Sequence, residues 1–371
     1  MRERKRSDSA AVAIVLPPRE AFSPGATGAV GLMAHRLASR GDAVVIGSPG
    51  GVPHADVPFR PVRSGRWPLG SQTARYAAAA ARLLAELRPT LIEVHNRPEI
   101  ALHVARRFPS AKIALLLHNE PTEMRGARRP AERLALLKNL SGIAVVSDYL
   151  RRGFLENLPP ACGDRLRVLP NCIDLAALGP APAAAARERR VLFAGRVVRD
   201  KGADTFVAAC ARALPKLPGW RATMIGADRF RPDSPETPFT RRLRPEAERA
   251  GVECLGYQPH AAVLDVMHRA AIVVVPSRWQ EPFGLTALEA MACGAALVTT
   301  RRGGLPEVAG DAALYAGPDD PDGLADAIAG LASDEKRRGA LAEAGRERAR
   351  LFDLPQALAR LDAFREEILF G

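Results

Sequence analysis

Short apolar runs rich in Val, Ile, Leu and Ala recur along this 371-residue chain, and stretches with helical spacing separate them. Strand-like runs fall at 11–16, 43–46, 91–94, 112–117, 143–146 and 166–169, and helical patterns at 29–40, 73–87, 130–140 and 148–155. Strands that are apolar throughout suit burial on both faces, and their alternation with helices implies a parallel sheet covered on both sides. A Pro/Ala segment at 180–186 breaks the pattern. It then restarts with strands at 191–194, 222–225, 253–255, 271–276, 297–300 and around Leu314, and helices at 204–214, 261–269, 321–331 and 335–352. Residues 228–240, rich in Pro and Asp, read as a long loop. The expectation is an α/β chain of two doubly wound halves, 1–180 and 181–355, with a last helix near 356–370. Ligands of such sheets sit outside the carboxyl ends of the strands, so the loops there are where chemistry is sought.

Composition narrows the class. Hydrophobic residues make up 47% of the chain, and its apolar runs are far shorter than the ~20 residues that span a bilayer. The run at 10–16 has no cleavage site after it and leads into the α/β pattern, so it reads as the first strand and not a signal peptide. Cysteines 162, 172, 210, 254 and 293 are scattered, which argues against a zinc site or a disulfide framework and fits a reducing cytosol. The net charge of +12 is uneven: residues 1–180 hold 26 Lys+Arg against 15 Asp+Glu, and residues 181–371 hold 27 against 26. A basic N-terminal half points to a negatively charged partner, or to an Arg-rich composition with none. Aromatic residues are 5% of the chain and no nucleic-acid module is visible, so nucleic acid is not expected. A phosphorylated acceptor or an anionic membrane surface fits better. Localisation is expected to be cytoplasmic, with peripheral attachment to the inner face of the plasma membrane as the membrane-bound variant.

The second half carries the sharpest chemical signal. After the strand-like run 271–276 comes Ser277-Arg278-Trp279-Gln280-Glu281-Pro282-Phe283-Gly284-Leu285, and then a helical stretch containing Glu289. This unit is a strand, an acidic loop and a helix. A helix N-terminus offers unpaired N–H groups and partial positive charge, which suit a phosphate. Glu281 and Glu289 can each accept hydrogen bonds from hydroxyls. Phosphate and hydroxyls together describe a nucleotide sugar; the alternative is one capping and one buried, satisfied acid.

These residues resemble the Glu-x7-Glu motif of retaining GT-B glycosyltransferases, in particular glycosyltransferase family 4. Pro170-Asn171-Cys172-Ile173-Asp174 is similar to the family's Pro-Asn-Gly-Val-Asp linker, with Cys172 where Gly is usual. Gly195-Arg196 followed by Lys201-Gly202 resembles its Gly-Arg…Lys-Gly motif, and Gly303-Gly304-Leu305-Pro306-Glu307 its Gly-Gly-x-x-Glu motif. The resemblance implies a GT-B architecture, two doubly wound Rossmann-like domains facing a central cleft. The N-terminal domain would bind acceptor, the C-terminal domain would bind nucleotide sugar, and helix 356–371 would pack back on the first. It also implies roles. Arg196 and Lys201, flanked by Gly195, would neutralise the diphosphate; Glu281 would hold sugar hydroxyls and Glu289 the ribose. Phe283, Gly284 and Leu285 would offer amides to the distal phosphate and sugar. Tyr257 would flank the base or serve as an ordinary core or surface tyrosine. In the first half, His118 at a strand end would face the reacting sugar, with His95 in a similar position. Gly28, in Gly25-Ala26-Thr27-Gly28, would approach the diphosphate, although the family's Gly-Gly pair is absent.

No metal ligand set is expected. Asp320-Pro321-Asp322 has the Asp-x-Asp spacing of metal-dependent transferases, but its place before a helix suits capping, and Arg196 with Lys201 would supply the charge. For a membrane surface the candidates are the basic stretch 124–140, with Arg125, Arg128, Arg129, Arg133 and Lys138, and a loop with Arg60, Arg63, Arg66 and Trp67. The expected activity is transfer of a hexose, with retention, from a UDP- or GDP-sugar to an acceptor hydroxyl of a cell-envelope, exopolysaccharide or lipid-linked glycan, without cofactor or metal. A sugar-nucleotide epimerase should lack this Arg…Lys and Glu-x7-Glu set. A non-catalytic carbohydrate-binding or scaffold protein of the same fold would bind nucleotide weakly and turn nothing over.

Overall fold

A computed structural model describes residues 11–25, 27–38, 41–63, 71–229 and 233–371. Arg66 and Trp67 of the basic loop lie outside the described residues, as do Ala26 of the glycine loop and residues 230–232 of the Pro/Asp-rich stretch. The chain divides into two units, Met1–Pro170 with Pro355–Gly371, and Asn171–Leu354.

The first unit is built on a seven-stranded sheet. Its strands are β1 (Val12–Val15), β2 (Ala43–Gly47), β3 (Phe59–Pro61), β4 (Leu91–His95), β5 (Lys112–Leu117), β6 (Gly142–Val145) and β7 (Leu166–Val168). They run in the order β3-β2-β1-β4-β5-β6-β7 with every pairing parallel. Ile14 of β1 stands opposite Val45 of β2 on one side and Glu93 of β4 on the other. The order reverses between β1 and β4, the switch point where a doubly wound sheet opens for a ligand. The strands are apolar because both faces are covered: β1, β2 and β4 are buried along their whole length.

Glu93 breaks that pattern, being a carboxylate on a buried strand with 1% exposure. The C-terminal helix Leu354–Phe370 explains it. Its Arg365 donates from Nε to Glu93 Oε1 at 2.8 Å and from Nη2 to Oε2 at 3.0 Å. Leu361, Phe364 and Ile368 of that helix join the core of this unit with Val12, Ile14, Leu91 and Ala144. A buried charge is tolerated only when paired in this way.

The second unit has six parallel strands, β8 (Glu188–Ala194), β9 (Arg221–Ile225), β10 (Val252–Gly256), β11 (Ala270–Val275), β12 (Ala296–Thr299) and β13 (Ala313–Tyr315), in the order β10-β9-β8-β11-β12-β13. Val273 and Val274 of β11 pair with Leu192 and Phe193 of β8, again across a switch point. Both units are therefore Rossmann-like.

Several elements differ from the sequence expectation. Strand β3 is three residues long and ends in proline, too short to give a periodic signal. Helix Pro98–Arg107 places Pro98 at its start, where the missing N–H is no loss. Helix Pro238–Arg249 begins inside the stretch read as loop, because Thr237 caps it by accepting from the Thr240 amide.

The basic stretch 124–140 is also organised differently from a solvated amphipathic helix. Its helix is Pro130–Asn139, and Arg133 is 1% exposed. Arg133 donates to the carbonyls of Ala127 at 3.0 Å and Arg128 at 2.9 Å and to that of Glu156, and so binds the preceding turn and a neighbouring segment together. One of the five expected surface cations is thus an internal brace. Among the described residues no helix is long and apolar enough to cross a membrane.

Candidate active site

Two loops at the switch point of the second unit bring the motif residues together. One follows β8 and holds Gly195, Arg196 and the 3-10 turn Arg199–Lys201. The other follows β11 and holds residues 276–284. The Asp200 carbonyl joins them, accepting from the amides of Arg278 at 2.8 Å and Trp279 at 3.0 Å. Gly202 lets the loops approach: its φ is 71°, and a Cβ there would lie 2.0 Å from the Pro276 carbonyl oxygen. Arg278 fastens the same junction from the side, paired with Asp204 and Asp319 and donating from Nη2 to Thr205 Oγ1 at 2.7 Å.

This packing delivers Lys201 Nζ to 2.6 Å from Glu281 Oε1. Ser277 Oγ donates to the same oxygen at 2.7 Å. The Lys201 ammonium also sits 4.7 Å from the centre of the Trp279 ring, a cation–π contact. Among the described residues, no donor reaches Glu281 Oε2 and no ion pair forms at the half-buried Arg196. One carboxylate oxygen is thus held by the protein while the other stays available.

Glu281 is presented by a loop that Gly303 and Gly304 clamp. The Gly304 amide donates to the Glu281 carbonyl at 2.7 Å, and the Gly303 amide to Gln280 Oε1 at 2.6 Å. Gly303 has φ 58°, and a Cβ there would stand 2.1 Å from the Glu281 carbonyl oxygen. The two glycine-bearing sequence motifs of this half are therefore parts of one arrangement. Past the clamp, Phe283 packs edge-on against Phe352 and Gly284 leads into helix Leu285–Ala292. The amides of Phe283, Gly284 and Leu285 donate to no acceptor among the described residues, so they form an open helix N-terminus.

Glu289 lies on that helix with its side chain 8% exposed, and Oε1 is 2.7 Å from His260 Nε2. His260, at the start of helix His260–Arg269, had no sequence signal, because it meets Glu289 only through the fold. Tyr257, just past β10, is half-buried. Asp320 and Asp322 act separately: Asp320 Oδ1 caps helix Pro321–Ser333 by accepting from the Gly323 amide at 2.8 Å, and Asp322 pairs with Arg212 at 2.7 Å.

In the first unit, His118 follows β5 and His95 ends β4. Their rings stack with centroids 5.1 Å apart, and His118 Nε2 lies 3.1 Å from His95 Nδ1. His95 is fully buried and stacks on His118. Burial, and secondarily the charge of Arg365, pushes the His95 imidazole down to about 3. Gly28 stands beside an internal anion: Glu20 Oε1 accepts from the Gly31 amide at 2.9 Å and would lie 2.7 Å from a Cβ on Gly28. A protein carboxylate thus occupies the N-terminus of helix Ala29–Ala38, where a diphosphate was expected to approach. Burial raises the Glu20 carboxyl, against the Gly31 and Gly28 amides and Arg97.

His35, His54 and Asp56 form a further cluster in this unit, with donor atoms within 4.8 Å of one another. Their arrangement is a hydrogen-bonded stack. His35 Nε2 reaches Asp56 at 2.8 Å, and the two imidazoles lie 3.9 Å apart and 19° from parallel. Imidazole lone pairs lie in their ring planes, and planes so nearly parallel do not meet at one ion.

Comparison with known proteins gives the class. The family description "Glycosyl transferases group 1" matches residues 180–348, and "Glycosyltransferase Family 4" matches residues 25–177. The chain belongs to the family-4 type of glycosyltransferases, and its two Rossmann-like units are those of the GT-B fold. It is 32% identical over 225 residues to the D-inositol 3-phosphate glycosyltransferase of Segniliparus rotundus, covering 57% of this chain and 47% of that one. It is 29% identical over 268 residues to YtcC of Bacillus subtilis, covering 68% of this chain and 65% of that one. The chain thus spans about half to two thirds of the length of these relatives. Among solved structures, sucrose-phosphate synthase from Thermosynechococcus elongatus superposes with a TM-score of 0.76 at 22% identity, covering 96% of this chain and 98% of that one. HepE of Anabaena, in complex with UDP and glucose, superposes with a TM-score of 0.76 at 17% identity, covering 96% and 99%.

Proposed function

We propose that this chain is a retaining hexosyltransferase that uses a UDP- or GDP-sugar and transfers to an acceptor hydroxyl without a metal. The observation that carries the reading is the pairing of Lys201 with Glu281 beside the open amides of Phe283, Gly284 and Leu285. A diphosphate set on those amides meets the positive end of a helix, the Lys201 ammonium and the unpaired Arg196 guanidinium. The same groups stabilise negative charge as the diphosphate leaves. Glu281 Oε2 accepts from a sugar hydroxyl, and Glu289, oriented by His260, accepts from the ribose. In the first unit, His118 is proposed to hydrogen-bond a sugar hydroxyl. No side chain is assigned as a covalent nucleophile; the leaving diphosphate takes the acceptor proton on the same face, which retains the configuration.

Solved relatives described with UDP and glucose, and with ADP and acarbose, support a nucleotide-sugar donor. Curated relatives described as an exopolysaccharide phosphotransferase and a lipopolysaccharide 1,2-N-acetylglucosaminetransferase support an envelope or exopolysaccharide acceptor, lipid-linked forms included. The excess positive charge of the N-terminal half suits such an anionic acceptor or a membrane face carrying it. The test is incubation with UDP- and GDP-hexoses and envelope glycan acceptors, with and without EDTA. A glycosylated product whose anomeric configuration matches the donor, formed equally in EDTA, is expected. Inverted product, EDTA-sensitive turnover, or a changed free sugar nucleotide formed without acceptor would each overturn part of the reading.

A further inference from the structure

We infer that Arg187 is a positioning residue for the nucleotide pocket: it pins together the C-terminal ends of helices His260–Arg269 and Leu285–Ala292, and so sets the contact between His260 and Glu289. The inference rests on the assignment of Glu289 to the nucleotide made above. Arg187 follows the Pro/Ala segment 180–186 and is 8% exposed. Its Nη1 donates to the carbonyls of His268 and Ala270, each at 3.0 Å, where the first helix ends. Its Nη2 donates to the Cys293 carbonyl at 2.5 Å, just past the second helix, and to the Pro182 carbonyl at 3.4 Å. The last carbonyls of a helix have no partner within it, and here one guanidinium serves the ends of both.

The two helices run in the same sense. His260 Nε2 meets Glu289 Oε1 at 2.7 Å, and four residues further along each helix Cys293 Sγ lies 3.8 Å from the Leu264 carbonyl oxygen. Their C-terminal ends therefore lie side by side, and each carries partial negative charge. The Arg187 cation between them offsets a repulsion that would otherwise splay the helices. Among the described residues it forms no ion pair with a carboxylate, so the helix ends are its counter-charge. Burial, and then the charge of Arg346, pulls the guanidinium down to about 10, which leaves it charged at neutral pH. Gly294 makes room for it: its φ is 75°, and a Cβ there would stand 2.7 Å from Arg187 Nη2. The register fixed at this end is carried along both helices to His260 and Glu289.

The test is titration calorimetry of the full chain with UDP and GDP on wild type, R187M, R187K and R187K combined with H260A, with the His260 imidazole NMR signals as a ligand-free readout. H260A assigns those signals by their loss, and E289A shows where they move when the contact is gone. R187M should move them toward the E289A position and raise the nucleotide Kd about tenfold with unchanged stoichiometry. R187K keeps the charge but not the fork that spans two helices, and should raise Kd about threefold. In the H260A background R187K should add little, because the contact it positions is already broken. Wild-type Kd and unmoved His260 signals in R187K overturn the inference even if R187M does not fold. A lowered stoichiometry at wild-type Kd, the mark of a role in folding alone, overturns it too, as does a fully additive loss in the H260A background. If wild type binds neither nucleotide, the assignment of Glu289 falls, and the His260 signals still decide whether Arg187 sets the contact.

Discussion

Lys201 Nζ lies 2.6 Å from Glu281 Oε1, although 80 positions separate the two residues. Each belongs to a loop after a central strand, and the Asp200 carbonyl ties those loops backbone to backbone. The pair is consequently held by backbone hydrogen bonds between the two loops. Replacing Lys201 with Met should lower kcat by about 100-fold or more, the scale of losing one preorganised charge at a leaving group. It should also destabilise the unit by about 2 kcal/mol, because Glu281 keeps only the Ser277 hydroxyl. Steady-state kinetics and urea unfolding measure both. A kcat near wild type would remove Lys201 from the chemistry.

Glu289 and His260 separate binding from orientation. E289A should weaken nucleotide affinity by about tenfold or more, the range for a hydrogen bond to a charged group. H260A leaves the carboxylate in place and should weaken it only a few-fold. Isothermal titration with UDP and GDP reads the difference. Equal losses in both variants would mean that His260 itself contacts the nucleotide.

Gly303 should be intolerant. Alanine there brings a Cβ to 2.1 Å from the Glu281 carbonyl oxygen at a backbone φ of 58°. G303A should cost about 2 kcal/mol or more and abolish donor-dependent stabilisation by displacing the loop that presents Glu281. A melting curve with and without nucleotide tests it.

The Glu93–Arg365 pair predicts an asymmetry between breaking and replacing. R365M leaves a buried carboxylate alone and should cost about 3–5 kcal/mol, whereas E93L combined with R365M should recover most of that. The double-mutant cycle by urea unfolding gives the coupling directly.

Acid stability carries the signature of His95. Its imidazole falls from 6.5 in the unfolded chain to about 3 in the fold, chiefly by burial and then by Arg365. Between those values the unfolded state binds the extra proton, so the stabilisation is complete above 6.5 and is lost as pH falls toward 3. The contribution is on the order of 3 kcal/mol between neutral pH and about pH 4. H95N should flatten this limb of the stability–pH curve, measured by urea unfolding across the range.

Much of this was legible in the sequence because local signals and global fold agree. Apolar runs such as 271–276 could be only buried strands, and Gly-Leu after an acidic loop marked the start of a helix. Glu281 and Glu289 were readable from their spacing, but what braces them was not. Ser277 reaches Glu281 inside one loop, but Lys201 reaches Glu281, and His260 reaches Glu289, only through the fold, which no local pattern encodes. Arg133 misled for the same reason: a basic residue on a helical stretch looks solvated until the carbonyls that it satisfies are known. Glu20 at the start of the first helix was likewise invisible, because an acid eight residues before a glycine carries no capping signature.

The most direct test of the central claim, that the second unit holds a nucleotide sugar on Lys201, Glu281 and Glu289, is the melting temperature of the full chain with UDP, GDP, ADP and their hexose conjugates in EDTA. A ligand at 100 times its dissociation constant adds about 2.7 kcal/mol of stability, enough to move the transition by several degrees. The account predicts that one nucleotide series raises the melting temperature in EDTA and that E289A loses the shift. Failure of every nucleotide to shift the well-folded wild type would contradict it.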